Sequence, residues 1–85
     1  MKYYLYILKS QATDKYYTGI SQNPHRRLEY HNTLEKGFTS RYRPWKIMFV
    51  KEYLSKEKAM LIEKKIKNWK SKKMIEKILS GDTEL

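Results

Sequence analysis

Eighty-five residues without a cysteine make one small domain, whose thin core can draw on neither disulfide staples nor a cysteine-held zinc. Nineteen Lys and Arg against nine Asp and Glu leave a formal charge of +10, a field that draws polyanions, of which nucleic acid is the most abundant in a cell. No apolar run approaches the ~20 residues that span a bilayer, and the N-terminal MKYYLYILKS is too short and too rich in hydroxyls for a signal peptide, so the expectation is a soluble, cytoplasmic protein.

The first element expected is a strand over Tyr3 to Lys9, in which Tyr3, Leu5 and Ile7 point one way and Tyr4, Tyr6 and Leu8 the other. A polar loop from Ser10 to Asp14 joins it to a second strand, Lys15 to Ile20, rich in tyrosine and β-branched residues. With the turn centred near Ala12, antiparallel pairing sets Tyr6 opposite Tyr17 on one face, and a slip of one residue would part them. Asn23 and Pro24 read as the cap and first residue of a helix that runs to Leu34 or Glu35 and is ended by Gly37. Leu28 and His31 share one of its faces, with Arg27 one turn before His31 at the edge. Phe38 to Arg43 is expected to be an irregular basic loop.

Pro44 opens a third strand, Trp45 to Tyr53, whose unbroken apolar run Ile47 to Val50 suggests an interior strand covered on both faces, or one crossed by a helix. Ser55 caps the next helix, with Glu57 near its positive end and Ala59, Ile62, Ile66 and Trp69 as its apolar stripe. Ser71 is placed as the cap of a last helix that buries Met74, Ile75, Ile78 and Leu79. The order is β-β-α-β-α-α: an α+β fold with a small antiparallel or mixed three-stranded sheet flanked by helices. Its core spans residues 2–79, and residues 80–85 form a frayed tail.

Two kinds of chemistry fit these residues. For phosphate contact the candidates are Lys15, Arg26, Arg41, Arg43, Lys67, Lys70, Lys72 and Lys73. A lysine-rich helix is also simply a solvated face, and Trp69 lies on the apolar stripe, which favours the core over base stacking. His25 and His31 stand six apart, without the spacing of a helical zinc site, and no glycine-rich phosphate loop is present.

The second chemistry enters through a resemblance. Tyr4-Leu5-Tyr6, then Tyr17-Thr18-Gly19, then Arg27 and His31 on a helix, then Glu63 within AMLIEKKIKNWKSKK, resemble the GIY-YIG nuclease superfamily, in its small stand-alone bacterial form. The likeness covers residues 2 to 79, with Tyr-Leu-Tyr standing where Gly-Ile-Tyr would and Tyr-Thr-Gly where Tyr-Ile-Gly would. It implies DNA as substrate and hydrolysis of a phosphodiester. It assigns Tyr6 as the base that activates water, Tyr17 as its partner in orienting water or phosphate, and Arg27 to the phosphate. Glu63 would hold one divalent cation, Mg²⁺ or Mn²⁺; His31 assists, and Gly19 belongs to the motif.

Phenol, with an ordinary pKa of about 10, is a weak base until positive charge such as Arg27 or Lys15 lowers it. Each residue also has a plain role: Tyr6 and Tyr17 as core tyrosines, Arg27 as a surface arginine, Glu63 as an i, i+4 partner of Lys67. The resulting expectation is a monomeric, weakly specific or structure-dependent endonuclease of DNA repair or processing type, acting on single-stranded, nicked or branched DNA, with a partner protein as one source of specificity. The alternatives are a non-catalytic nucleic-acid-binding module of the same fold and, third, a protein of anionic membrane surfaces.

Overall fold

A computed structural model describes residues 2–34, 36–69 and 72–81. The first strand, β1 (Tyr3–Ser10), lies between β2 (Tyr16–Ser21) and β3 (Trp45–Tyr53), both antiparallel to it. Leu5, Tyr6, Ile7 and Leu8 are all buried, because a central strand with helices on both sides has no solvent face. Fully burying a side chain such as Leu5, Ile7 or Leu8 contributes about 1.5–3 kcal/mol.

β1, not β3, is therefore the interior strand. β3 is at the sheet's edge and alternates in burial, with Met48 44% and Val50 42% exposed. Its unbroken apolar run has another cause. Ile7 pairs with Phe49 and Leu8 with Ile47, so Met48 is an extra, bulged residue. In a regular strand Ile47 and Phe49, two residues apart, would share a face; the bulge sends Ile47 to one core and Phe49 to the other.

Those two cores lie on opposite faces. Leu5, Ile7 and Tyr53 pack with Ala59 and Ile66 of α2 (Lys56–Trp69) and Ile78 of α3 (Lys72–Ser80). Tyr6, Leu8 and Trp45 pack with Tyr17, Tyr42, Ile47 and Leu28 of α1 (Pro24–Thr33). The architecture is α+β, in the expected order, with α1 on one side of an antiparallel sheet and α2 and α3 on the other.

The hairpin register differs from expectation by two residues. Tyr6 pairs with Gly19, and Tyr17 with Leu8. Ser10 belongs to the strand, where its hydroxyl accepts from the backbone N–H groups of Ala12 and Thr13 at 3.1 Å each and shifts the turn toward Lys15. A two-residue shift preserves facing, so Tyr6 and Tyr17 stay on one side as diagonal neighbours.

Asn23 caps α1 by accepting from the Arg26 N–H at 3.1 Å, and Ser55 caps α2 by accepting from the Lys58 N–H at 3.2 Å. α1 stops at Thr33, short of Gly37, and Leu34 is 66% exposed. Phe38–Tyr42 forms a 3-10 turn, not an irregular loop. Just after it, the Trp45 N–H donates to Asn32 Oδ1 at 2.6 Å while Asn32 Nδ2 donates to the Trp45 carbonyl at 3.2 Å, clamping α1 to β3. The expected cap Ser71, the alternative helix end Glu35 and the tail beyond Gly81 lie outside the described residues. Among the described residues no helix is long and apolar enough to cross a membrane.

Candidate active site

Three elements bring three rings together. β1 presents Tyr6, its neighbour β2 presents Tyr17 two residues along the diagonal, and α1, clamped by Asn32, lowers His31 between them. Ring centroids are 6.5 Å apart for Tyr6 and Tyr17, 6.1 Å for Tyr6 and His31, and 4.8 Å for Tyr17 and His31. The Tyr6 hydroxyl lies 3.0 Å from His31 Nε2. With the imidazole proton on Nδ1, the phenol donates to Nε2. Both residues are 1% exposed, whereas Tyr17 is half-buried and forms the outer wall.

Gly19 makes the arrangement possible. The Tyr6 ring lies across its Cα, and a Cβ there would stand 2.5 Å from the phenol oxygen and 2.6 Å from Cζ. The glycine of the motif is thus required by close approach rather than by a turn.

Arg27, on the turn of α1 before His31, acts on the same phenol and stacks over Tyr30 at 4.7 Å. The electrostatic balance runs against the expected lowering. Burial pushes the Tyr6 phenol above its ordinary range; Arg27 pulls it down, while Tyr17 and the Glu63 carboxylate push it up. Lys15, the other cation expected to help, sits over the Tyr42 ring at 5.9 Å.

Glu63 approaches from α2, close enough for its charge to reach Tyr6, and its side chain is 22% exposed. Lys67, one turn on, lies 3.4 Å from Glu63 Oε2 and 5.5 Å over the Tyr17 ring. Among the described residues no cluster of three His, Cys, Asp or Glu could hold a metal by itself. One carboxylate fits Mg²⁺ or Mn²⁺ only in company with water and a substrate phosphate, which is a common way for Mg²⁺ to bind.

Arg43, half-buried, donates from Nε to the His31 carbonyl at 2.9 Å and so supports the histidine from the loop side. Sequence spacing carries no trace of this support, nor of the Asn32 clamp. Lys72 pairs with Asp14 at 3.2 Å, joining the hairpin loop to α3. Arg26, Arg41 and Lys73 are exposed, and Lys70 lies outside the described residues. The structure thus gathers Tyr6, Tyr17, Arg27, His31, Glu63 and Lys67, and leaves the other cations dispersed around them.

Alkaline titration tests the burial of the phenol. Tyr6, Tyr16 and Tyr53 are all raised, chiefly by burial. A raised folded-state value means that the unfolded chain loses its protons first. Their contribution to stability is therefore intact below about pH 10 and falls away as pH climbs through the raised values. Denaturant midpoints are expected to fall across that alkaline window, less steeply for Tyr6→Phe. Equal slopes for the two proteins would contradict the burial of Tyr6.

The GIY-YIG catalytic-domain family model matches residues 2–77. The UPF0213 protein OB0043 of Oceanobacillus iheyensis is 34% identical over 67 residues, 78% of this chain and 77% of its own. The solution NMR structure of the UPF0213 protein BH0048 from Bacillus halodurans superposes with a TM-score of 0.60 and 29% identity, over 94% of this chain and 84% of that one.

Proposed function

Because this chain belongs to the GIY-YIG catalytic-domain family, a family of the nuclease superfamily, we propose that it is an endonuclease that hydrolyses phosphodiester bonds of DNA with one divalent cation, Mg²⁺ or Mn²⁺. The observation that carries the reading is the 3.0 Å contact between the Tyr6 hydroxyl and His31 Nε2, with Arg27 acting on the same phenol. Burial makes Tyr6 a poor free phenolate, so its route to basicity is a relay. As the phenol oxygen takes a proton from water, its own proton passes to Nε2, and no separated phenolate forms in the buried site. Arg27 holds negative charge at that oxygen and on the phosphate as the attack proceeds. Tyr17, the outer wall, orients the water or the phosphate. Glu63 would hold the cation, which when bound supplies positive charge to the phosphate oxygens. Lys67, 3.4 Å from the same carboxylate and half-exposed, offers a cation to the phosphate on this side of the site.

One observation favours a second reading. Tyr6 and His31 are each 1% exposed, as fits a core tyrosine satisfied by a core histidine. On that reading the basic surface binds nucleic acid and nothing is cut.

Plasmid, single-stranded and branched DNA, each with Mg²⁺, Mn²⁺ or EDTA, separate the two. Metal-dependent cutting is expected, falling roughly 10²-fold or more in Arg27→Ala, by analogy with the loss of a donor to a developing oxyanion. Glu63→Ala is expected to remove the metal dependence along with the cutting. Cutting that survives both substitutions would come from another enzyme, and salt-sensitive binding with no cutting would leave the second reading.

A further inference from the structure

Beside the ring cluster lies a cavity to which the reaction assigns no role. It is a cleft of about 460 Å³ between the outer edge of β2 and the two helices α2 and α3. Its floor is apolar, built of Tyr16, Ile66 and Ile75 with Thr18 beside them. Its rim carries three cations, Lys15, Lys67 and Lys72, and one carboxylate, Asp14. Two residues belong both to it and to the ring cluster. Tyr17 lines the cleft while its ring stands 4.8 Å from that of His31, and Lys67 lines it while pairing with Glu63.

The charges along the cleft are not uniform. At the Tyr16 end Asp14 and Glu76 both act on the phenol, and Lys72 is already committed to Asp14 at 3.2 Å. A phosphate is disfavoured there, whereas the amino and imino groups of a base can donate to carboxylates. At the other end Lys67 stands beside the ring cluster, where a phosphate is wanted. An apolar floor, a cationic end next to the chemistry and acceptors at the far end match one class of occupant.

We propose that the cleft takes a single unpaired nucleotide of the DNA, its base against Tyr16, Ile66 and Ile75 and its phosphate at Lys67, so that cutting is directed to junctions of paired and unpaired strands. The inference rests on the reading of the ring cluster as a phosphodiester site and names the substrate class of that site. A base inside a duplex is stacked on both faces and must be extruded before it can enter such a cleft; an unpaired one is already free. Stacking on a tyrosine is tolerant of sequence, since every base has a π-face, so the preference is for structure and not for a recognition sequence.

The test is equilibrium binding in EDTA, read by fluorescence anisotropy, on three otherwise identical DNAs: fully paired, carrying one unpaired adenine, and carrying an abasic residue in its place. The unpaired adenine is expected to bind roughly 10-fold tighter than either of the others, within the range seen for one base–aromatic stack. Equal binding of the abasic and adenine DNAs would overturn the proposal, since phosphate contact alone would then explain both. A 5-iodouracil at the unpaired position is expected to cross-link to Tyr16 on irradiation, and attachment only outside the cleft would overturn it as well. Tyr16→Leu keeps the floor apolar and is expected to bring the three DNAs to parity. The cross-link needs no variant, so a folding defect in Tyr16→Leu leaves the proposal decidable. Because binding is read without metal, the two readings fail separately. The preference without any cutting would sink the nuclease and keep the cleft, whereas cutting without the preference would sink the cleft alone.

Discussion

Gly19→Ala is expected to lower the melting temperature by about 4–24 °C and to remove cutting even where the protein is fully folded. The stability figure follows from overpacking, which costs about 1–3 kcal/mol in a well-packed core, and from a shift of about 4–8 °C per kcal/mol in a domain of this size. Nothing in the backbone opposes alanine there, because Gly19 sits in an ordinary strand. The obstacle is the new Cβ, 2.5 Å from the Tyr6 oxygen and 2.6 Å from Cζ, both well inside contact distance. Tyr6 has little room to retreat, being packed into the buried cluster with Leu8, Trp45, Tyr17 and Leu28. Either β2 moves away from β1 and carries Tyr17 out of place, or the phenol leaves His31, and both outcomes disturb the ring cluster. The double variant Tyr6→Phe/Gly19→Ala sharpens the test. Removing the oxygen relieves the contact at 2.5 Å but not that at 2.6 Å, so part of the stability is expected to return and none of the activity. A Gly19→Ala protein that melts and cuts like the parent would show that the phenol does not lie across this residue.

Much of this site was legible in the chain, for reasons that differ residue by residue. The facing of Tyr6 and Tyr17 follows from strand alternation and survives a two-residue error in register, because only an odd slip changes face. The α1 face carrying Arg27 and His31 follows from helical spacing, and Glu63 falls beside the apolar stripe of α2 as its wheel position requires. What could not be read is whatever depends on where separate elements meet. The bulge at Met48 is a local choice that lets one apolar run serve two cores, and an uninterrupted run carries no mark of it. Arg43, one of several cations in a basic stretch, turns inward to the His31 carbonyl only because the 3-10 turn brings it there. The direction of the Tyr6 shift escapes the sequence for a related reason. Counting nearby cations predicts a lowered phenol, but desolvation depends on how deep β1 lies, and β1 proved to be the central strand.

Tyr6→Phe is expected to reduce cutting by about 10²–10⁴-fold, the usual contribution of a positioned acid–base group, while DNA binding in EDTA stays within about twofold, since no phosphate-contacting cation is touched. The substitution keeps the ring that fills the space above Gly19 and removes only the oxygen. Its cost in stability is expected to be about 1–3 kcal/mol, the loss attached to breaking a buried hydrogen bond, here the one to His31. That cost is the same whether Tyr6 is a catalytic group or a core tyrosine, so melting curves alone decide nothing. The two roles part in the ratio of cutting to binding. A core tyrosine acts on both only through the folded fraction, which at a temperature well below melting is close to one for parent and variant alike. A relay tyrosine leaves binding intact and removes the proton path from water to His31. Equal losses of cutting and binding would therefore return Tyr6 to the core, and a loss confined to cutting would place the reaction at its hydroxyl.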